Sequence, residues 1–159
     1  MKIIPNVNFI LREDGKYIKN NSKFFFKNKK IVFFALPGAF TPTCSDYHLP
    51  SYEQRYDEIL QYGVDEIYCL SMNDPFVQNV WKENFQIKKV KFIPDGNGEF
   101  TKAMNMLTNR SEAGMGIRSL RYSMYVDDMN ILKLFKDKNG KFDVSDSNTM
   151  INYLKTLNE

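Results

Sequence analysis

The sequence predicts a mixed α/β fold, a central mixed sheet with helices on both faces. Three observations carry this. Two apolar runs, at residues 31–36 and 66–72, have the composition of strands covered on both sides, and each is followed by helical spacing. A shorter strand at 90–93 ends at Pro94-Asp95-Gly96 and leads into another helical stretch. Two β-rich runs, 121–126 and 131–135, then flank residues 127–130 as a hairpin, and a helix closes the chain. Strands alternating with helices pair in parallel through crossovers, whereas a hairpin pairs antiparallel.

Each element has its own signal. Ile31-Val32-Phe33-Phe34-Ala35-Leu36 is apolar throughout. From Cys44 to about Leu60 the spacing is helical, with Tyr47, Tyr52, Tyr56, Ile59 and Leu60 as inward residues. Pro50 lies inside that stretch and should kink or split it. Asn73-Asp74-Pro75 is a helix start, a capping side chain followed by proline at the first helical position. Phe76, Val77, Val80, Trp81 and Phe85 then recur at helical spacing and should face the core. A helix is expected near 98–106, and the terminal helix at 145–157 should bury Met150, Ile151, Leu154 and Leu157.

Composition bounds the function. The chain has 159 residues, with 43% hydrophobic and 14% aromatic, enough to bury a core in one domain over 1–159. The net charge of +3 is too small to argue for nucleic acid or a membrane surface. Two basic clusters, Lys27/Lys29/Lys30 and Lys88/Lys89/Lys91, read as solvated strand edges, with a phosphate patch as the rarer alternative. No apolar stretch is long enough for a membrane span, and residues 1–6 lack a signal peptide's apolar core. The two cysteines, Cys44 and Cys69, form no disulfide framework; they suit a reducing compartment, and a cytoplasmic location is expected.

The chemistry centres on Cys44, which closes Pro37-Gly38-Ala39-Phe40-Thr41-Pro42-Thr43-Cys44 directly after the first strand. This places one sulfur at a helix start, at the carboxyl end of a strand, where ligand sites of α/β sheets lie. Unpaired N–H groups and the positive end of the helix dipole favour an anionic sulfur there, and the thiolate is the nucleophile. A buried inert cysteine is the plainer alternative. Thr41 puts a hydroxyl near the same spot, able to donate or accept. A Cys-X-X-Cys pair is absent, since Thr41 and Tyr47 occupy the flanking positions. His48, the single histidine, lies one turn deeper with no evident orienting partner, and two cysteines with one histidine fall short of a zinc set. A lone thiolate with a threonine suits attack on a small electrophile such as the O–O bond of a peroxide.

These residues resemble the peroxiredoxins. Pro37, Thr41 and Cys44 stand in the family's P-x-x-x-T-x-x-C pattern. The longer string P-G-A-F-T-P-T-C-S, followed by H-L-P and Tyr52, is similar to the type II branch that contains peroxiredoxin five. The likeness continues through residues 69–77, Trp81, Asp95-Gly96 and the string from Arg118 to Met124. The resemblance implies a thioredoxin-like fold and a thiol peroxidase activity without cofactor or metal. By position, Cys44 matches the peroxidatic cysteine, Thr41 the hydroxyl that bonds the peroxide, Pro37 the residue shielding the thiolate, and Arg121 the catalytic arginine. Arg121 read alone is as well a solvated strand charge. Arg118 is the weaker arginine, suited to a helix end or the surface. His48 matches a histidine of this branch, expected to orient the loop or lie at a dimer face rather than act as a base.

Some type II members carry a resolving cysteine late in the chain, but residues 142–148 contain none. Cys69 is the sole internal candidate, in a strand where packing is its expected job. One-cysteine behaviour is therefore expected, with an external thiol as reductant: glutathione with glutaredoxin, or thioredoxin. The branch also implies a homodimer. Two other readings of the same sulfur are a thiol–disulfide oxidoreductase, disfavoured by the missing Cys-X-X-Cys, and a redox-sensing domain that passes oxidation to a partner.

Overall fold

The computed structural model describes residues 2–138 and 141–158. A short strand β1 (Lys2–Ile3) precedes a hairpin of β2 (Asn8–Glu13) and β3 (Lys16–Asn21) and a helix α1 (Ser22–Phe26). Strand β4 (Lys30–Ala35) leads through the turn at 36–41 into a broken helix, made of a π-helical turn at Cys44–His48, α2 (Leu49–Gln54) and α3 (Tyr56–Leu60). Then follow β5 (Glu66–Ser71), α4 (Pro75–Asn84), β6 (Lys91–Pro94) and α5 (Glu99–Ala103). A small hairpin, β7 (Leu107–Asn109) and β8 (Ile117–Ser119), encloses a 3₁₀ turn at Ser111–Ala113. The chain ends with β9 (Tyr122–Asp127), β10 (Asn130–Lys136) and α6 (Ser147–Leu157).

The main sheet has six strands in the order β1-β10-β9-β4-β5-β6. Strands β4, β5 and β6 run parallel, and β9 pairs antiparallel with β4 and β10. The expected mixed sheet is thus present. Successive side chains of β4 point to opposite faces. Val32, Phe34 and Leu36 face one core with Tyr52, Ile59, Trp81, Met150, Ile151 and Leu154. Ile31, Phe33 and Ala35 face the other with Phe9, Phe25, Phe26, Phe100, Tyr122 and Met124. All six β4 and turn residues 31–36 are fully buried, as a strand covered on both sides requires.

Several expectations are corrected. The helix at 44–60 breaks at Arg55 (φ −108°, ψ 16°), not at Pro50. Pro50 sits in the first turn of α2, where its missing N–H costs no bond, just after the chain has widened into the π turn closed by Leu49 N–H to the Cys44 carbonyl. Tyr47, Phe76, Val80 and Leu157 were expected inside; all four are exposed. On α4 the inward face is Gln78 and Trp81. The helix at 98–106 shortens to α5, because Leu107 pairs with Ser119 in the small hairpin. The β2–β3 hairpin turns at Asp14-Gly15, both left-handed (φ 49° and 73°), the two-residue loop that matches strand twist.

The Lys88/Lys89/Lys91 cluster borders a strand edge and has carboxylate partners, whereas Lys29 Nζ donates to the Phe24 carbonyl at 2.9 Å. Glu53 accepts from the backbone N–H groups of Lys88, Lys89 and Val90, while Lys89 Nζ reaches Asp57 at 2.7 Å and Lys91 Nζ reaches Glu66 at 3.4 Å. Trp81 ties the core to the π turn: its Nε1–H donates to Ser45 Oγ at 3.0 Å, both groups buried. Trp81→Phe keeps an aromatic ring but strands that hydroxyl. Urea denaturation followed by circular dichroism should show a loss of about 1–3 kcal/mol.

Candidate active site

The site forms where β4 ends and β9 begins. The antiparallel pairing sets Ala35 opposite Tyr122, so Arg121 lies beside the turn that leaves β4. That turn is braced from two sides. Asn73 Oδ1 accepts from Ala39 N–H at 2.9 Å, and Arg118 Nη1 donates to the Pro37 carbonyl at 3.4 Å while its Nε donates to the Met115 carbonyl at 3.0 Å. A Cβ on Gly38 would lie 2.6 Å from Arg118 Nη1, so the glycine makes room for the brace. Arg118, expected at a helix end or on the surface, is half-buried against the turn. Phe40 adopts a left-handed backbone (φ 64°), and its ring packs near Trp81 and Phe85.

Pro42 and Thr43 are already helical, so Cys44 sits in the first turn. Its side chain is fully buried, and Arg121 Nη2 donates to Sγ at 3.2 Å. A guanidinium N–H bonds a thiolate more strongly than a neutral thiol. Thr41 Oγ1 donates to the Gly38 carbonyl at 2.7 Å, which commits its proton and leaves its lone pairs free. Pro37 is buried. Pro37, Thr41 and Arg121 together line a cleft of about 290 Å³, with Cys44 behind them. The four residues expected in the site are therefore brought together.

A second ring of residues holds Arg121. Its Nη1 meets His48 Nδ1 at 2.9 Å, and His48 Nε2 meets the Ser145 carbonyl at 3.1 Å. The carbonyl can only accept and the guanidinium can only donate, so His48 is the neutral tautomer with its proton on Nε2. Burial first, then the Arg121 charge, hold His48 well below the usual imidazole range, against the opposing pull of the Ser145 carbonyl. Tyr52 donates to the same carbonyl at 2.7 Å. Phe34 stacks on Tyr52 at 4.2 Å, and Phe34 and Phe142 flank the His48 ring at 4.8 and 4.9 Å.

Ser145 is placed in turn by Asp137, whose Oδ1 accepts from the N–H groups of Asp143, Val144 and Ser145 and whose Oδ2 accepts from the Ser145 hydroxyl. Asp137 N–H bonds the Arg121 carbonyl at 3.0 Å, which closes the ring. His48, expected to orient the loop or lie at a dimer face, is buried between Arg121 and the Ser145 carbonyl, and the arginine was not foreseen as its partner. Ser145 and Asp137 had no signal in the sequence, being polar residues in a loop far along the chain.

Cys69 lies on β5, paired in register with Phe34 and Phe92. Both cysteines are free and buried. Burial, and next the neighbouring Cys44, push the Cys69 thiol well above its ordinary value, outweighing the opposite effect of Arg121. It is a protonated packing residue.

Comparison with known proteins agrees with this geometry. A family model described as Redoxin matches residues 1–151. The hybrid peroxiredoxin hyPrx5 of Haemophilus influenzae is 46% identical over 156 residues, covering 96% of this chain; the chain spans 65% of that relative's length. The crystal structure of reduced Prx3 in complex with hydrogen peroxide from Vibrio vulnificus superimposes with a TM-score of 0.92 at 34% identity, covering 96% of each chain. The Plasmodium falciparum antioxidant protein, a 1-Cys peroxiredoxin, does so with a TM-score of 0.92 at 35% identity, covering 98% of each chain. The sheet is the thioredoxin-like sheet of these structures, and the chain belongs to the peroxiredoxins of the redoxin family.

Proposed function

We propose that the protein reduces hydrogen peroxide and organic hydroperoxides through Cys44, and that a thiol from outside the chain regenerates it. The observation that carries this is the bond from Arg121 Nη2 to Cys44 Sγ, made by an arginine that lines the cleft together with Thr41. A hydroperoxide entering the cleft gives its O–H to the free lone pairs of Thr41 and takes N–H bonds from Arg121. This holds the O–O bond against the sulfur. The thiolate attacks one oxygen, the O–O bond breaks, and the departing oxygen leaves as water or an alcohol after taking a proton. Arg121 stabilises the charge that develops on it. Cys44 becomes a sulfenic acid. Pro37 shields the sulfur from bulk water, and Arg118 and Asn73 fix the turn that carries Pro37 and Thr41.

His48 is a positioning residue in this reading. Its neutral Nδ1 accepts from one arm of Arg121, so the other arm is left for the sulfur. A protonated imidazole would have no acceptor and would repel the guanidinium. Cys69, buried in a strand and held as the thiol, supports one-cysteine behaviour, as does the likeness to a 1-Cys peroxiredoxin. The reductant is glutathione with glutaredoxin, or thioredoxin, in a reducing compartment such as the cytoplasm. Exposed Phe40 and Tyr47, flanking Cys44 in the chain, support a homodimer paired through this face.

Cys44→Ser should abolish peroxide consumption in a competition assay with hydrogen peroxide; undiminished consumption would refute the reading. Arg121→Gln should slow the oxidation step at least 100-fold, about 2.7 kcal/mol for one lost charge-stabilising donor. Mass spectrometry after one equivalent of peroxide should find a trapped sulfenic acid on Cys44 and no Cys44–Cys69 disulfide. His48 also makes stability depend on pH. The unfolded chain takes up a proton on His48 near its ordinary value of about 6.5, whereas the folded chain does not. Its contribution is therefore whole above that pH and is lost below it, by up to ~1.4 kcal/mol per pH unit. Denaturation midpoints between pH 7 and pH 5 should fall less steeply in His48→Gln than in the parent.

A further inference from the structure

We propose that a second cleft, between the β2–β3 hairpin, α1, α4 and the edge strand β6, binds a nucleotide whose base carries an amino group. The base is seated by Gln78 and Phe24, and the phosphates by Lys29 and Lys82. The cleft shares no lining residue with the one over Cys44, so its occupant is independent of the peroxide chemistry.

The topology opens this cleft. Strand β6 is the last of the main sheet, so no further strand covers its outer edge. The hairpin is instead tied across to α4, where Asn79 Nδ2 donates to the Arg12 carbonyl at 3.1 Å. Beside that tie lies a space of about 660 Å³, within the ~300–1,000 Å³ of small-molecule sites. One stripe of α4 lines it, made of Pro75, Gln78, Asn79 and Lys82 at helical spacing.

Gln78 leaves an open acceptor in this wall. Its side chain is buried, with 1% of the residue exposed. Its Nε2 donates to Ser71 Oγ at 2.8 Å and to the Ile93 carbonyl at 3.1 Å. A carbonyl can only accept, so the amide nitrogen stands on that side and Oε1 on the other. Among the described residues, Oε1 has no donor. Buried side-chain acceptors are normally paired, and an unpaired one in the wall of a cleft calls for an N–H from whatever fills it. The amino group of a base is such a donor.

The rest of the lining fits a planar ring and an anion. Phe24, Phe25 and Tyr68 stand edge to face in series, with centroids 5.1 and 5.3 Å apart. Phe25 and Tyr68 are buried, and Phe24 ends the series exposed at the cleft. An exposed phenyl ring is a stacking surface that any base can use through its π face. Four cations line the cleft, Arg12, Lys29, Lys82 and Lys91, against one carboxylate, Glu13. Lys91 is paired with Glu66, and Arg12 lies over the rings of Tyr17 and Phe76. Among the described residues, Lys29 and Lys82 form no ion pair. Lys29 Nζ stands 5.4 Å from the Phe24 centroid and donates to the Phe24 carbonyl, which leaves its other N–H groups for a phosphate. A base on Phe24 thus puts its phosphates beside free ammonium donors. A nucleoside alone would leave the lysines unused, and a bare phosphate would leave Gln78 and the rings unused.

Isothermal titration calorimetry of the reduced protein at low salt, with ADP, inosine diphosphate, adenosine and inorganic pyrophosphate, tests this. ADP should bind once per chain, about 10-fold or more tighter than adenosine or pyrophosphate. Inosine diphosphate, with a carbonyl where ADP has its amino group, should bind about 10-fold more weakly than ADP, because it offers Oε1 an acceptor. Lys29→Gln/Lys82→Gln should weaken ADP about 10-fold and leave adenosine unchanged, and high ionic strength should do the same. Phe24→Ala, a change at an exposed ring, should weaken ADP and adenosine alike. No binding of ADP would overturn the assignment. Pyrophosphate binding as tightly as ADP would reduce the cleft to an anion patch and overturn it as well. Equal affinities for the two diphosphates would remove the role of Gln78 and with it the proposed base. ADP binding that survives both the lysine and the Phe24 substitutions would place the nucleotide elsewhere, the Cys44 cleft included.

Discussion

The antiparallel pairing of β9 with β4 is the constraint on which the site depends. A parallel neighbour would send its own carboxyl end to this edge of the sheet. An antiparallel one presents its beginning there, and Arg121 stands immediately before that beginning, Tyr122. The cation meets the sulfur because two strands run in opposite directions, although 77 positions of chain separate the two residues. The small β7–β8 hairpin ends at Ser119, just before Arg121, and returns Arg118 to the turn. Both arginines are delivered by the same segment, one to the Pro37 carbonyl and one to the Cys44 sulfur.

The neutral histidine is the least expected part of this arrangement. A buried imidazole next to a guanidinium has two reasons to stay uncharged, desolvation and repulsion, and both act together here. Neutrality makes it useful, since an acceptor is needed to hold one arm of Arg121. The aromatic cage of Phe34, Tyr52 and Phe142 keeps water away and fixes the ring. The core face of β4 and the cluster of Cys44, Arg121 and His48 are therefore one packing unit.

Much of this was legible in the sequence, for identifiable reasons. The apolar run 31–36 permits only a doubly covered strand, and Asp74-Pro75 permits only a helix start; both stand as expected, with Asp74 Oδ1 accepting from Val77 N–H at 2.9 Å. Pro37, Thr41 and Cys44 sit in one local turn, so their proximity follows from the chain itself. The polar β2–β3 hairpin was missed even though Asp14-Gly15 marks its turn, because strands rich in Lys, Asn and Glu lack an apolar alternation. Phe76 and Val80 kept helical spacing yet face outward, since periodicity finds a stripe without saying what covers it; Phe76 packs instead against exposed Tyr17 with Arg12 above both rings. Ser145 and Asp137 were invisible because their role exists only after the strap at 141–146 has folded over His48.

The Thr41 hydroxyl, with its proton spent on the Gly38 carbonyl, makes the entrance read hydrogen rather than oxygen. In the proposed reaction, a peroxide that arrives with a proton on its O–O unit satisfies it. Hydrogen peroxide and alkyl hydroperoxides carry that proton. Dialkyl peroxides and disulfides, equally reducible by a thiolate in principle, have none to offer. They would leave the lone pairs of the partly buried Thr41 without a donor. In the proposed reaction, one hydrogen bond inside a turn would thus favour hydroperoxides over other oxidants before any bond is broken.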